Sequence, residues 1–389
     1  MEISSKIITD RMTQKLNRIV VIPSDPLEAY QKAGYDWLER YYNPAKVSRE
    51  VFCVSPYEKG EFQAFGMKVI GITEKTFRSV VADIRPDAIR AYSAFYPAEL
   101  ACKNKIPGIP TLVSVHDTTN LSPLIVFADM VICVSSAVAK EAMKLGVHKD
   151  RIRILPNRVD RNVFQCKHDV KHIRDQFPEG KLILHVGRKS EQKNLETVIQ
   201  ALTLLPREYF CVFVGRGDTL MYQELAEKSG VINRTHWVDS VKNSELPDYY
   251  SMCDCMCTPS RWEGFGIVFI EAAACEAGII TSDIAPMNEF LVHNENAYLV
   301  KDYESPQALA EGIQKVCEDR AYRQRLGANA RTMTEHFDVS LIDKQEAAFY
   351  RESLTLKPNP KKAFGLMNRI ISYGRKKFQK IIRKLYHKW

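Results

Sequence analysis

Short apolar runs recur along this 389-residue chain, several followed by a stretch with helical spacing, and that alternation restricts the fold more than any other feature of the sequence. Ile19–Ile22, Thr111–Val115, Met130–Val134, Leu182–Val186 and Phe210–Val214 place apolar side chains on both faces, as parallel strands covered on each side require. Ser136–Leu145 and Leu195–Leu204 follow two of these runs with helical periodicity. The expectation is an α/β protein with two doubly wound sheets, each able to bury a core at 45% hydrophobic content, and a ligand bound between them. We place the first domain at 1–165 and the second at 166–340. A helix at 341–356 is expected to return toward the first domain, with a basic tail at 357–389.

Pro259–Ala273 carries most of the chemical information. Cys253–Thr258 has strand character, Ser260–Gly266 holds turn-forming residues, and apolar helix formers begin at Ile267. Glu263 precedes that helix and Glu271 lies about two turns inside it. The first helical amides and the helix dipole favour a phosphate, and the glycines let a ligand approach the backbone. Glu263 can accept hydrogen bonds from sugar hydroxyls and Glu271 from a ribose. On spacing alone, two solvated glutamates around a tight turn remain an equal alternative. A second constellation lies where Leu182–Val186 ends at Gly187-Arg188, with Lys193-Asn194 five residues on. A planar guanidinium and a mobile ammonium suit a diphosphate whose charge grows as its bond to a sugar breaks. In isolation they would be two solvated cations.

Together these stretches resemble the C-terminal domain of the family 4 retaining glycosyltransferases, whose GT-B fold sets two Rossmann-like domains across a cleft. The likeness runs through Val186-Gly187-Arg188, Lys193-Asn194, Phe213-Val214-Gly215-Arg216-Gly217, Leu246-Pro247-Asp248-Tyr249-Tyr250, the Glu263/Glu271 stretch and Tyr298-Leu299-Val300. Arg85–Ile89, Ser114–Asp117, Val131–Ser135 and Ile154–Asn157 follow the family's order in the first half. The resemblance implies metal-independent, retaining transfer of a sugar from a nucleoside diphosphate sugar, UDP- or GDP-linked, to a glycan or lipid-linked acceptor, with no further cofactor. It implies that Arg188 and Lys193 hold the diphosphate, Glu263 the donor sugar and Glu271 the ribose. Gly187, Gly264, Phe265, Gly266, Ile267 and Val238 would complete the donor site, and His116 would face the transferred sugar from the other domain. A histidine ending an apolar strand is otherwise a satisfied structural residue. The departing diphosphate itself would guide the acceptor hydroxyl, so no protein base is assigned.

Several positions depart from the family's pattern. Arg158, Asp239 and Glu276 stand where glycine is usual, and Asp239 lies near the slot for the base. The first strand leads into Pro23-Ser24-Asp25-Pro26 in place of a glycine-rich turn, with Lys32-Ala33-Gly34 as a partial substitute. Ser24, Lys32 and Gly34 are therefore the acceptor-binding candidates by resemblance, although the four residues from Pro23 also make an ordinary structural turn.

Ten cysteines form no paired C-x-x-C framework, and no signal-peptide core or apolar run of membrane-spanning length is present. Reduced thiols and a cytoplasmic location are expected. Cys253, Cys255 and Cys257 alternate along the expected strand, which reads as core packing ahead of a metal or redox site. No Asp-x-Asp pair falls in a plausible loop. After Glu352 the chain carries eleven lysines and arginines and no acid, which leaves −3 for the preceding residues of a chain at +8. Apolar residues from Phe364 to Trp389 recur at three- and four-residue steps opposite the cations. That pattern suits peripheral binding at the inner, anionic face of a membrane, at ~1 kcal/mol per cation near the surface, with Lys376, Lys377, Phe378, Lys380, Ile381, Arg383, Lys384 and Trp389 as candidates. A helix packed on the protein or on a partner is the alternative. The apolar stripe argues against nucleic acid as the partner. Other function classes compatible with the fold are a non-catalytic transferase-like subunit, a sugar-nucleotide epimerase and a phosphorylase.

Overall fold

The computed structural model describes residues 15–32, 34 and 38–359. The membrane candidates named in the tail lie outside these residues. The first sheet comprises β1 (Leu16–Ile22), β2 (Ser48–Ser55), β3 (Glu61–Ala64), β4 (Met67–Gly71), β5 (Ala88–Ala91), β6 (Thr111–Val115), β7 (Met130–Cys133) and β8 (Ile152–Ile154). Its spatial order is β3-β4-β2-β1-β5-β6-β7-β8, parallel except where β3 pairs with β4. The second comprises β9 (Lys181–Val186), β10 (Tyr209–Val214), β11 (Thr235–Val238), β12 (Cys255–Thr258), β13 (Ile279–Ser282) and β14 (Tyr298–Val300), all parallel, in the order β11-β10-β9-β12-β13-β14. The strand order reverses between β1 and β5 in one sheet and between β9 and β12 in the other. Crevices outside the carboxyl ends of the strands open at such points, and ligands of doubly wound folds bind there.

The apolar runs become strands because both faces are covered. All six residues of β10 are buried, and Ile183, Cys211, Phe213 and Ile280 pack beneath the helices Leu195–Leu204 and Pro306–Glu318. Cys255 and Cys257 belong to that core, where Cys255 Sγ lies 3.5 Å from Cys317 Sγ. Cys253 does not join them. It follows the helix Leu246–Met252, and its thiol turns back to the carbonyl of Tyr250, because β12 starts two residues later than the alternation suggested. Among the described residues no cluster of three His, Cys, Asp or Glu side chains has metal-holding geometry, and no helix is long and apolar enough to cross a membrane.

The helix Val339–Ser353 packs against the first sheet, with Ile342, Ala347 and Tyr350 buried among Leu16, Ile19 and Val21. It brings Glu346 and Asp343 into contact with Arg90, Arg158 and Arg40. Glu346 is fully buried between two guanidinium groups, which hold its carboxyl below the usual range against the opposing effect of burial. Arg158, one of the residues standing in place of glycine, thereby gains a structural partner. Glu276 adopts φ 59°, the left-handed conformation that glycine takes more easily.

Candidate active site

Loops at the two switch points bring together most of the residues singled out above. Gly187 follows β9 with φ 152°, and a Cβ there would lie 3.0 Å from Cε of Lys193. Its absence lets the lysine stem pass beneath the turn, so that Nζ reaches Oε1 of Glu263 with both side chains buried. The same carboxylate accepts from Ser260 Oγ at 2.8 Å and from Gln192 Nε2 at 3.3 Å. Gln192 also donates to the carbonyl of Trp262 at 2.8 Å and accepts from exposed Arg188 at 3.1 Å. One glutamine therefore couples the loop of Glu263 to Arg188, at the open edge of the cleft.

Glu263 and the helix Ile267–Ala274 are joined through Gly264, Phe265 and Gly266. Gly266 has φ 85° and precedes the helix, and a Cβ there would strike the ring of Phe269 at 2.6 Å. Phe265 is buried and stacks on Phe290 with ring centroids 5.0 Å apart. Glu271 is buried inside the helix, where Tyr250 Oη donates at 3.1 Å and Asn243 Nδ2 at 3.4 Å. Burial raises its pKa to about 7, partly offset by those two hydrogen bonds and by Lys193. Asn243 comes from the segment after β11, so the hydroxyl and amide around this carboxyl are supplied by two separate elements.

The second loop meets the first sheet directly. Ser135 Oγ, which caps the helix Ser136–Lys144 by accepting from Val138 N, donates to the carbonyl of Gly264 at 2.7 Å. The Gly264 backbone lies against His116 and Asp117 at the end of β6. The His116 ring opens to the cleft. Crowding by the surrounding protein, with Arg90 and Arg158 nearby, pushes its pKa down to about 4, so it is neutral near pH 7. A second tie joins the halves where Glu289 accepts from the amides of Ser136 and Ala137, each at 3.0 Å.

Val238 is held by a residue that pattern alone did not single out. Lys189 is buried, and its Nζ donates to Val238 O at 2.9 Å and also to Gly215 O. Asp239 follows on the exposed side of that turn. Ser260, Gln192 and Asn243 were likewise given no role, and Tyr250 entered only as part of the Leu246–Tyr250 likeness. Ser260 stands three residues before Glu263, a spacing that could have flagged it, whereas Lys189 and Asn243 gain meaning only from the folding of distant strands together.

A cavity of about 410 Å³ occupies the first half of the cleft, at the carboxyl ends of β1, β5 and β6. Ser24, Tyr92, Phe95 and His116 contribute to its wall, and Ile267 closes it from the second half. Of the acceptor candidates, Ser24 lines it and Lys32 does not. Lys32 projects to solvent and pairs with Glu28 at 2.6 Å. A Cβ added at Gly34, where φ is 74°, would lie 3.7 Å from Cγ of Lys242 in the second half, and Gly34 is also outside the cavity wall. Arg188, Lys193, Glu263 and Glu271 are not part of this cavity's wall.

Two family models match the chain in succession. Residues 69–163 match "Glycosyltransferase Family 4" and residues 169–333 match "Glycosyl transferases group 1". The chain belongs to the family 4 glycosyltransferases of the GT-B fold. An uncharacterized glycosyltransferase of Methanocaldococcus jannaschii is 25% identical over 237 residues, 58% of this chain and 60% of that protein. The chain thus spans less than two thirds of that curated relative. The alpha-D-kanosaminyltransferase of Streptomyces kanamyceticus is 24% identical over 294 residues, covering 67% and 74%. Among solved structures, Anabaena HepE in complex with UDP superposes with a TM-score of 0.74 at 19% identity, over 86% of this chain and all of that one. That likeness shows the GT-B fold. In this chain the loops at the carboxyl ends of the two sheets meet, with Gly264 beside Glu263 at the junction.

Proposed function

We propose that this glycosyltransferase transfers a sugar from a nucleoside diphosphate sugar, with retention of anomeric configuration and without a metal, to a glycan or lipid-linked acceptor. The observation that carries this reading is the buried Lys193–Glu263 contact at the N-terminal approach to the helix Ile267–Ala274, next to Gly264, whose backbone lies against that of His116. A donor diphosphate entering there would meet the Lys193 ammonium, the Arg188 guanidinium and the first helical amides. As the bond to the sugar lengthens, negative charge grows on the leaving diphosphate, and these fixed donors stabilise it more than the ground state. Glu263 takes the donor-sugar hydroxyls and orients that ring. Glu271 takes the ribose hydroxyls, and Val238, anchored by Lys189, lies at the side of the base. Neutral His116 offers a hydrogen bond to the transferred sugar without competing for the diphosphate. The UDP complex of the similarly folded HepE supports a uridine donor as the first to test.

The acceptor is proposed to lie at an anionic membrane surface reached by the basic tail, on the strength of the eleven cations after Glu352. Calorimetric titration with UDP, GDP, ADP and CDP in the presence of chelator tests the donor site. One diphosphate should bind wild type, and binding should be lost in Arg188→Ala/Lys193→Ala. Wild-type turnover in that double variant would remove the assignment.

A further inference from the structure

We propose that the cavity in the first half of the cleft is a subsite for an uncharged pyranose, so that the acceptor presents a neutral sugar there and not a phosphorylated or carboxylated one. The inference deepens the transferase reading and rests on it for the role of the bound sugar as acceptor. The wall divides into two chemistries. Tyr30, Tyr41, Tyr92 and Phe95 offer aromatic surface, which packs against the C–H face of a sugar ring. Ser24, Thr119, Asn120, Asn157 and Asp117 offer short polar groups, which exchange hydrogen bonds with its hydroxyls. At about 410 Å³ the space is at the small end of ligand pockets, consistent with one or two rings.

Charge decides the class. Among the described residues the wall includes no lysine or arginine, and its acidic member is Asp117. Two neighbouring cations stack on wall rings without lining the cavity: Arg90 lies 4.5 Å from the Tyr92 ring centroid and Arg158 5.0 Å from that of Tyr41. Both are committed to acids of the helix Val339–Ser353, Arg90 to Glu346 and Arg158 to Glu346 and Asp343. A phosphate or carboxylate placed in the cavity would give up part of its hydration, find no unpaired guanidinium among the described wall residues and face the Asp117 side chain. A neutral ring meets none of these penalties. Ile267 and His116 form the end of the cavity nearest the donor loop, so a ring seated there abuts the transferred sugar.

Saturation-transfer NMR tests the proposal, on protein with and without saturating UDP or GDP, against the methyl glycosides of glucose, galactose and mannose, their 6-phosphates and methyl glucuronoside. At least one neutral glycoside should bind, and its 6-phosphate should bind at least tenfold more weakly. Phe95→Ala, which truncates an exposed side chain, should weaken the neutral ligand roughly tenfold, and Phe95→Tyr should restore it. Equal or tighter binding of the charged sugars, no binding of any neutral glycoside, or undiminished binding by Phe95→Ala would overturn the proposal. Loss of UDP and GDP binding together would instead remove the transferase reading, while the sugar arm still decides the subsite on its own.

Discussion

Replacing Gly264 with alanine should sharply reduce turnover while leaving the nucleotide site intact. A Cβ there would lie 2.8 Å from the carbonyl carbon of His116 and 3.1 Å from Cα of Asp117. Both are backbone atoms at the end of β6, so no side-chain rotation relieves the clash. One of the two facing segments must retreat. The loop of Glu263 is braced within its own half by the Gln192–Trp262 hydrogen bond at 2.8 Å, the Ser282–Ser260 hydrogen bond at 2.8 Å and the contact between Lys193 and Glu263. Among the described residues, two of the three hydrogen bonds that cross the junction there, from the amides of Ser136 and Ala137 to Glu289, are exposed to solvent, beside the buried Ser135–Gly264 hydrogen bond. The halves should therefore separate before the loop deforms. Overpacking costs about 1–3 kcal/mol and the lost hydrogen bond about 1 kcal/mol, so the closed arrangement should weaken by roughly 2–4 kcal/mol. If turnover requires that arrangement, kcat/KM should fall roughly 30- to 1,000-fold, with the diphosphate Kd changed less than about threefold. Steady-state kinetics beside calorimetry reads both quantities. Wild-type kcat/KM would refute the close approach, and equal losses in Kd and kcat/KM would show that the loop yields before the junction.

Three further outcomes are expected. The Glu271 pKa is raised from the carboxylate range to about 7, so folding favours its protonated form; that contribution is fully present below about pH 4.5 and disappears as pH rises through 7. Wild type should lose stability from pH 5 to 8 relative to Glu271→Gln while its diphosphate affinity increases over the same range, and parallel thermal and affinity profiles of the two proteins would contradict this. Glu346→Ala strands Arg90 in a buried site, leaves Arg158 with Asp343 alone, and should destabilise the first half by about 3–5 kcal/mol, read as an earlier transition in urea; a shift below about 1 kcal/mol would contradict the charge cluster. Removing residues 361–389 should abolish binding to vesicles containing anionic lipid while preserving donor hydrolysis, and undiminished vesicle binding would contradict the role given to the tail.

Much of the fold was legible because it depends on local pattern. Runs such as Phe210–Val214 are apolar on both faces, and that pattern alone implies strands covered on both sides. The grouping of Glu263, the glycines and Lys193 was legible for a related reason: short loops between a strand and a helix hold their residues at the carboxyl ends of neighbouring strands. The start of β12 was less clear, because alternating cysteines do not reveal that Cys253 finishes the preceding helix.

By itself the sequence determined the alternation of strands and helices, the candidate phosphate loops and the concentration of positive charge after Glu352. Only the tertiary structure decided that Gly264 abuts His116, that Lys189 anchors Val238, and that Arg90 and Arg158 spend their charge on Glu346 and Asp343. The physical reason is range. Backbone periodicity and turn chemistry act over a few residues, whereas burial, ion pairing and steric contact join groups as far apart as Arg90 and Glu346, whose separation in sequence carries no periodic signal.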